Sequence, residues 1–284
     1  PTRCAYCSFV SISVQKSMKR IPDYLAALDR EIEATAAAVK KLGLRPVALY
    51  MGGGTPTTLS APQLDALCTK LEEAFDLTAL REYTVEAGRP DTITPDKLEA
   101  LKKHGVTRVS VNPQTMDDAV LEAIGRKHTA ADVLTALSEV RRTGGFAVNM
   151  DLIAGLPADT PERFDHTLET VLALAPENIT VHTLALKKGS GIMRGETPVP
   201  DARAVGGMIG AANAALFAAG YRPYYLYRQK YMSGGFENVG WQKGGTESLY
   251  NICIMEELCS ILALGGGGST KLCTGGGRIE RVFD

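Results

Sequence analysis

The chain has 284 residues, 45% hydrophobic and 22% charged, which is typical of a globular protein with a sizeable core. Its 31 basic and 32 acidic residues give a net charge of -1, too small to attract nucleic acid or an anionic membrane surface. No apolar run reaches the ~20 residues that a spanning helix needs. We therefore predict no nucleic-acid partner and no membrane span, and we expect a monomer.

Most of the chain alternates between helical and strand-like segments. Residues 21–43 carry apolar side chains at helical spacing, with Pro22 in the first turn and Gly43 at the end. Ser60 and Gln63 have the spacing of a capping box, which predicts the start of another helix. Further strands are predicted at 47–51, 81–88, 107–114, 146–157, 179–186 and 221–231, and further helices at 94–105, 117–128, 129–145, 160–178 and 202–220.

This alternation of apolar strands and helices predicts an α/β fold with a parallel sheet covered on both faces. About six such units favour an open, partial (β/α)6 barrel of the TIM type over a flat doubly wound sheet. After residue 230 the pattern becomes rich in glycine, with one helical stretch at 249–262. We therefore expect a core at 1–230 and, at 231–284, an accessory segment that covers one end of the barrel.

Six cysteines in a chain of this size do not indicate a disulfide scaffold, and a reducing cytoplasm is the expected location. Cys68, Cys253 and Cys259 lie in apolar stretches and are predicted to be buried structural thiols. Cys4 and Cys7 differ, because they form a Cys-x-x-Cys pair. Their spacing alone leaves open zinc ligation, a thioredoxin-like redox pair and iron–sulfur ligation, although no second pair completes a zinc site.

The segment MGGGTPTT (Met51–Thr58) follows a predicted strand. Three consecutive glycines let a ligand approach the backbone closely, whereas a plain turn would not need all three. The segment is not a phosphate-binding P-loop, because no Gly-Lys-Ser/Thr follows it. It predicts a cofactor loop at the end of that strand.

The Cys-x-x-Cys pair and this loop together resemble the radical S-adenosylmethionine (SAM) superfamily, whose signature is CxxxCxxC. The stretches CAYCSF, YMGGGTPTTL, YTVEAGRPDTIT, GVTRVSVNPQT, GRKHT and VNMDLIAGLP resemble its oxygen-independent coproporphyrinogen III oxidase group. ENVGW, SLYNICIMEE and LALGGGGSTKL resemble the HemZ branch of that group. The resemblance implies a [4Fe-4S] cluster and SAM as cofactors, and it implies that the first signature cysteine precedes Pro1.

Carried over position by position, the resemblance implies two sets of site residues. Cys4 and Cys7 are the metal ligands. The SAM-binding residues are Tyr6 beside the adenine, Gly53, Gly54 and Thr55 at the amino-acid end, Glu86, Gln114, Arg126 and Asp151 around the ribose and carboxylate, and Ala185 against the adenosyl group. Any one of these side chains alone also suits a surface ion pair or a loop hydrogen bond, but the ordered set favours the functional assignment.

The implied activity is a radical SAM oxidoreductase of heme biosynthesis, the oxidative decarboxylation of coproporphyrinogen III propionates toward protoporphyrinogen IX. It requires a tetrapyrrole substrate and an electron donor for the cluster. The alternative is a heme chaperone without this oxidation, because oxidases of the group carry a further cysteine where this chain has Phe9. A radical SAM enzyme with another substrate is the third alternative.

Two further interpretations concern tyrosines and histidines. The tyrosines of 221–231 can line the pocket of a flat aromatic ligand, with Arg228 and Lys230 facing propionates, but a half-buried strand explains them equally well. His104 is expected to interact with the dipole of a helix end, and His128 to be exposed to solvent.

Overall fold

The computed structural model describes residues 4–7, 18–186, 198–228, 232–274 and 278–283. The α-helices in these ranges are α1 (Ile21–Lys41), α2 (Ala61–Ala74), α3 (Pro95–Lys103), α4 (Asp118–Ala123), α5 (Ala130–Thr143), α6 (Pro161–Leu174), α7 (Ala202–Ala218) and α8 (Leu249–Met255). The strands are β1 (Ala48–Met51), β2 (Glu82–Glu86), β3 (Arg108–Ser110), β4 (Ala147–Ala154), β5 (Asn178–Thr183), β6 (Arg222–Tyr227), β7 (Asn238–Gln242), β8 (Ser269–Cys273) and β9 (Ile279–Phe283). None of these helices is long and apolar enough to cross a bilayer.

The main sheet has seven strands in the order β1-β2-β3-β4-β5-β7-β6. Strands β1 to β5 are parallel neighbours in chain order, and at least one helix lies between each strand and the next. Strands β1 and β6 form the two edges, so the sheet is open rather than a closed barrel. Strands β8 and β9 pair separately as an antiparallel sheet. The predicted α/β class is confirmed.

The last strands differ from the predicted parallel series. Strand β7 lies beyond residue 230 and pairs antiparallel with both β5 and β6. No strand is predicted there, because β7 is short and contains Gly240. That glycine is needed for packing, since a Cβ at Gly240 would lie 1.8 Å from the Tyr225 ring. The predicted helix at 249–262 is also shorter, and α8 ends at Met255.

Local capping signals positioned the helices correctly. Ser60 and Gln63 form the predicted capping box of α2. Pro22 lies in the first turn of α1, and Gly43 follows its end with φ +65°. These signals identify the start of α2 and both ends of α1 from the sequence alone.

The two faces of the parallel sheet differ in chemistry. On β2, Tyr83 and Val85 point into the apolar core between sheet and helices, while Glu82, Thr84 and Glu86 alternate to the other face. The same period places polar side chains of β3, β4 and β5 on that second face, which we call the polar face: Arg108, Ser110, Asn149, Asp151, Thr180 and His182. The helices therefore cover the apolar face, and the functional groups collect on the polar one.

Helix α8 is fixed to this polar face near the amino end of β2. The buried Glu82 carboxylate accepts hydrogen bonds from Ser248 Oγ at 2.9 Å and from the backbone N–H of Leu249 at 2.7 Å. Arg108 lies beside it, with Nε 3.7 Å from Glu82 Oε2, and donates to the Thr246 carbonyl at 2.7 Å. A carboxylate at a helix N-terminus satisfies free N–H groups, so this contact fixes where α8 begins.

Candidate functional site

A carboxylate at the end of β2 interacts with the end of β1. Glu86 is the last residue of β2; it accepts a hydrogen bond from the Tyr50 hydroxyl and another from the backbone N–H of Gly53. Burial raises the pKa of Glu86, and the nearby Asp151 raises it further. On its other side Tyr50 stacks on Tyr250 of α8, with ring centroids 4.0 Å apart. The Glu86 carboxyl group is thus held in place by these contacts, and its pKa is raised.

The glycines after β1 serve two different purposes. A Cβ at Gly52 would lie 2.5 Å from the Tyr50 ring and 3.1 Å from the Glu86 carboxyl carbon, so this glycine permits their close approach. Gly53 has φ +93°, a conformation that side chains disfavour. A Cβ at Gly53 or Gly54 would meet no atom within 4 Å among the residues that the structure describes. The backbone of these two residues therefore borders open space that a ligand can enter.

A second carboxylate lies inside β4 rather than at its end. Asp151 accepts a hydrogen bond from Asn149 Nδ2 at 2.8 Å, and His182 Nε2 lies 3.8 Å from its other oxygen. Burial acts to raise the pKa of Asp151, but interactions with His182, Asn149 and Thr180 outweigh burial and hold the pKa below its usual value. The pKa values of Asp151 and Glu86 are therefore shifted in opposite directions.

Gln114 is connected to Asp151 through the backbone. Its N–H donates to the Asp151 carbonyl at 2.9 Å, and it forms an isolated parallel bridge with Leu152. Gln114 is buried and has φ +69°, which is uncommon for a side chain other than glycine. Such strain is concentrated at functional positions, and here it turns the chain sharply after β3.

Cys4 and Cys7 form a tight turn at the same edge of the sheet. The N–H of Cys7 donates to the Cys4 carbonyl at 3.1 Å, and the N–H of Ala5 donates to the Ile124 carbonyl at 2.9 Å. The Cys4 thiol accepts a hydrogen bond from Arg89 Nη2 at 3.4 Å. Arg89 is only three residues after Glu86, so the turn lies next to the carboxyl end of β2.

Tyr6 joins this turn to a buried arginine. Arg126 Nη2 donates to the Tyr6 hydroxyl at 3.0 Å, and Nη1 donates to the Asn112 carbonyl at 2.9 Å. Burial raises the pKa of Tyr6 to about 12, although the Arg126 charge opposes the rise. Arg126 Nε and Asn112 Oδ1 are buried without a hydrogen-bond partner among the described residues. Buried polar atoms without a partner can form hydrogen bonds to a ligand.

The other predicted site residues are more scattered. Thr55 is half-buried after the glycines, and its carbonyl accepts from the N–H of Thr58. Ala185 follows β5 and bridges Met232. Hydrogen bonds thus join Gly53 to Glu86, Gln114 to Asp151 and Tyr6 to Arg126, whereas none described joins Thr55 or Ala185 to them.

Several residues around the site were missed from the sequence. They are Tyr50, Arg89, Asn149, His182 and Tyr250. The alternation of side chains along a strand would have found Asn149 and His182, because they share the polar face with Asp151. Tyr250 carried no such signal, since its position depends on how α8 docks.

The histidines contradict the sequence-based expectation. His128 is buried, only 5% exposed, instead of solvent-exposed, and burial lowers its pKa to about 4, with the charges of Arg126 and Arg89 adding to the effect. His104 lies at the end of α3, as expected, but it is also buried, and its two ring nitrogens lie 2.8 Å from Glu72 and Asp65 oxygens.

Only one of the two basic residues predicted to face propionates lies within the described part of the chain. Arg228 is exposed and forms an ion pair with Glu237. Lys230 and Phe9 lie outside the described residues.

Comparisons with known proteins identify the family. The sequence profile of the Radical SAM superfamily matches residues 1–171. The chain belongs to the radical SAM superfamily. It is 41% identical over 274 residues to the oxygen-independent coproporphyrinogen-III oxidase-like protein HemZ of Bacillus subtilis, covering 95% of this chain and 55% of the relative. It is also 36% identical over 185 residues to the heme chaperone HemW of Bacillus subtilis, covering 65% of this chain and 48% of the relative.

Among solved structures, coproporphyrinogen III oxidase (HemN) from Escherichia coli matches with a TM-score of 0.74 and 24% identity, covering 95% of this chain and 62% of that chain. This likeness confirms the predicted partial barrel of the radical SAM type. The chain spans about half the length of the two Bacillus subtilis relatives, 55% and 48%. Radical SAM proteins use a [4Fe-4S] cluster and SAM, so the predicted cofactors are those of the family.

The residues present fit these cofactors chemically. Cys4 and Cys7 are free thiols, and thiolates are the ligands that iron–sulfur clusters use. Arg89 and Arg126 bring positive charge to this turn, which suits an anionic cluster. The open backbone at Gly53 and Gly54 and the unpartnered Nε of Arg126 suit a ligand with amino and carboxylate groups such as SAM.

Proposed function

We propose that this chain forms the core of a radical SAM oxidoreductase that decarboxylates propionate groups of coproporphyrinogen III. The observation that carries the proposal is the turn Cys4–Cys7, attached through Arg89 to the loop that follows Glu86. It brings a pair of free thiols to the edge of the sheet where the glycine backbone is open. When bound, the cluster and SAM supply a carbon-centred radical by one-electron cleavage of the sulfonium.

Each residue of this edge has a distinct task in the proposal. Cys4 and Cys7 would each hold one iron of the cluster, and Arg89 donates a hydrogen bond to Cys4 Sγ that orients this ligand. Gly53 and Gly54 offer backbone groups to the amino-acid part of SAM. Arg126 offers its unpartnered Nε to a carboxylate.

The pKa values of the two carboxyl groups are shifted in opposite directions. Asp151, with a lowered pKa, is an acceptor for hydroxyl groups such as those of a ribose. Glu86, with a raised pKa, is held by Tyr50 and Gly53 and becomes a carboxylate most readily when a cationic group binds beside it. The ammonium of the SAM amino-acid part is such a group. Gln114, Thr55, Tyr6 and Ala185 complete the proposed contact set.

The proposed tetrapyrrole lies against the tyrosines of β6. Tyr225 and Tyr227 are stacked, with centroids 6.3 Å apart, and both face β5, where their hydroxyls lie 3.3 Å from Thr180 Oγ1 and 3.4 Å from His182 Nδ1. His182 in turn approaches Asp151. A ligand lying on these rings would therefore contact the same hydrogen-bonded chain of residues as SAM.

An anaerobic assay tests the proposal. A preparation that carries this chain and all three cysteines of the signature is reconstituted with iron and sulfide, reduced, and given SAM and coproporphyrinogen III. We expect carbon dioxide and 5'-deoxyadenosine in equal amounts, together with vinyl-containing product. SAM cleavage without carbon dioxide would reject this substrate while leaving the SAM site in place.

The second candidate is a heme chaperone, supported by the 36% identity to HemW and by Phe9 at the position where a cysteine marks the oxidases. Here the same polar face would hold heme without oxidising a propionate. We expect stoichiometric heme binding with a Soret band and no carbon dioxide release if this candidate is correct. Release of carbon dioxide therefore distinguishes the oxidase from the chaperone.

We further propose a cytoplasmic location, a monomeric state and a separate electron donor. Light scattering behind size exclusion measures the oligomeric state, and a mass of twice the chain would contradict the monomer.

A further inference from the structure

Three cysteines outside the candidate site converge in the C-terminal part of the chain. Cys253 lies in α8, Cys259 follows that helix, and Cys273 is the last residue of β8. Ile261 and Lys271 form an antiparallel bridge with hydrogen bonds in both directions, 2.7 and 2.9 Å. Continuing that register by two residues places Cys259 opposite Cys273 on one face.

The chain also brings Cys253 to Cys259. The N–H of Leu258 donates to the Cys253 carbonyl at 3.2 Å, and Glu257 has φ +52°, so the backbone reverses just after α8. The Cys253 side chain therefore lies close enough to Cys259 to contribute to the raised pKa of that thiol. All three cysteines are free thiols, Cys253 buried and the other two half-buried, which corrects the prediction that Cys259 is fully buried.

The arrangement is suited to a disulfide rather than to a metal. In the described part of the chain, no group of three or more His, Cys, Asp or Glu residues has the geometry of a metal site. Two thiols in mutual contact, by contrast, need little movement to join. A third thiol opposite one of them provides a partner for exchange.

We propose that Cys253 and Cys259 form a reversible disulfide, with Cys273 as the alternative partner of Cys259. With a small disulfide such as oxidised glutathione as oxidant, one protein thiolate attacks it and releases one glutathione thiol. The second protein thiol then displaces the other glutathione, so two thiol protons and two electrons leave the protein as two molecules of reduced glutathione. This inference does not depend on the proposed function.

The reaction has a definite pH dependence. Burial raises the pKa of Cys259 to about 11, with Cys253 and Cys273 raising it further. Since the thiolate is the attacking form, the rate at which Cys259 reacts rises with pH, by about tenfold per unit while the pH is below that pKa.

The location connects this pair to the candidate site. Cys253 shares the short helix α8 with Tyr250, which stacks on Tyr50, the hydrogen-bond donor to Glu86. A disulfide at the end of α8 would restrain the helix whose other end contacts the proposed SAM pocket.

Differential alkylation with mass spectrometry tests the inference. The reduced protein is incubated with oxidised glutathione, alkylated, and cleaved with a glutamate-specific protease, which cuts after Glu256 and Glu257, between the two cysteines. We expect fragments joined through Cys253 and Cys259 that separate only on reduction. Cys68 is the matched control, because its pKa is also raised by burial to about 11 but its hydrogen-bond partner is Tyr83. It should stay alkylated as a free thiol.

Variants distinguish the pairings. Cys273→Ser should leave the Cys253–Cys259 link intact, Cys259→Ser should abolish linkage, and Cys253→Ser should transfer the link to Cys259 and Cys273. Absence of any link among the three, or glutathione adducts alone in the folded wild-type protein, would overturn the proposal.

Discussion

The parallel strands β1 to β5 and the C-terminal part of the chain (β6, β7 and α8) build one half-barrel by different physical means. In the first region, apolar side chains such as Tyr83 and Val85 anchor each strand to its helices, and polar residues alternate to the other face. In the second region, α8 is fixed by the buried Glu82 and Arg108. The first region is thus held mainly by apolar packing, whereas the start of α8 is held by a few polar contacts.

In our proposal the two regions also divide the chemistry. The proposed cofactor residues Cys4, Cys7, Gly53, Glu86 and Asp151 all lie on or beside the parallel strands, within the residues 1–171 that the superfamily profile matches. The tyrosines of β6, which we propose for the tetrapyrrole, lie in the second region, beyond residue 171. Four changes test this division, beginning with the largest expected effect.

Cys7→Ala should remove reductive SAM cleavage completely in a preparation that carries the full signature, because two thiolates cannot hold three irons. The fold should persist, since Cys7 is only half-buried. Iron content, visible absorption and far-UV circular dichroism measure both parts. Cys273→Ser, a half-buried thiol in the second region, is the control and should retain full iron; equal loading of both variants would contradict the assignment.

Glu82→Ala should destabilise the protein by about 3–5 kcal/mol, because it leaves Arg108 buried without its counter-charge and the start of α8 without an acceptor. Urea unfolding measures the loss, and proteolysis after Lys243 should become faster. Glu82→Gln keeps an acceptor oxygen and should lower the free energy of unfolding by less than Glu82→Ala does. If Glu82→Ala unfolds like the wild type, the C-terminal part is held by something other than this contact.

Asp159→Asn should remove the part of the pH dependence of stability that comes from the Asp159 carboxyl group. Burial raises the pKa of Asp159 from 3.8 to about 7, with Asp117 raising it further and Thr160 and Arg163 opposing. Between these two pH values the folded state keeps a proton that the unfolded state has released, so wild-type stability falls as pH rises, by about 4 kcal/mol in total. Thermal unfolding at pH values across this window measures the difference in stability between the wild type and the variant. If that difference does not change with pH, Asp159 titrates normally.

Tyr50→Phe should weaken SAM binding about fivefold, because the hydrogen bond to Glu86 is lost while the stacking on Tyr250 is kept. Tyr250→Phe keeps the same stacking and retains the Tyr50 hydroxyl, so it serves as the control with unchanged affinity. Calorimetry of the reconstituted protein gives both constants. An equal loss in the two variants would assign the effect to ring packing instead.

The sequence was most informative where the signal is local. The Ser60 capping box and the three glycines directly after β1 both act within a few residues, and the structure has them where they are predicted. Strand β7 and the burial of His128 were missed, since both depend on partners distant in the chain. Likewise, no pattern in the sequence announces that Tyr250 stacks on Tyr50, because 200 positions separate them and only the docking of α8 brings them together.

The position of β7 between β5 and β6 has a consequence for biosynthesis. Because β6 is made first but pairs within the sheet only through β7, neither β6 nor the outer edge of β5 acquires its neighbour until residue 242 has left the ribosome. The sheet is thus completed when β7 inserts between β5 and β6, a non-local step that is intrinsically slow. Meanwhile the exposed edge of β5 is a place where a nascent chain can pair wrongly, and a chaperone would find its substrate there.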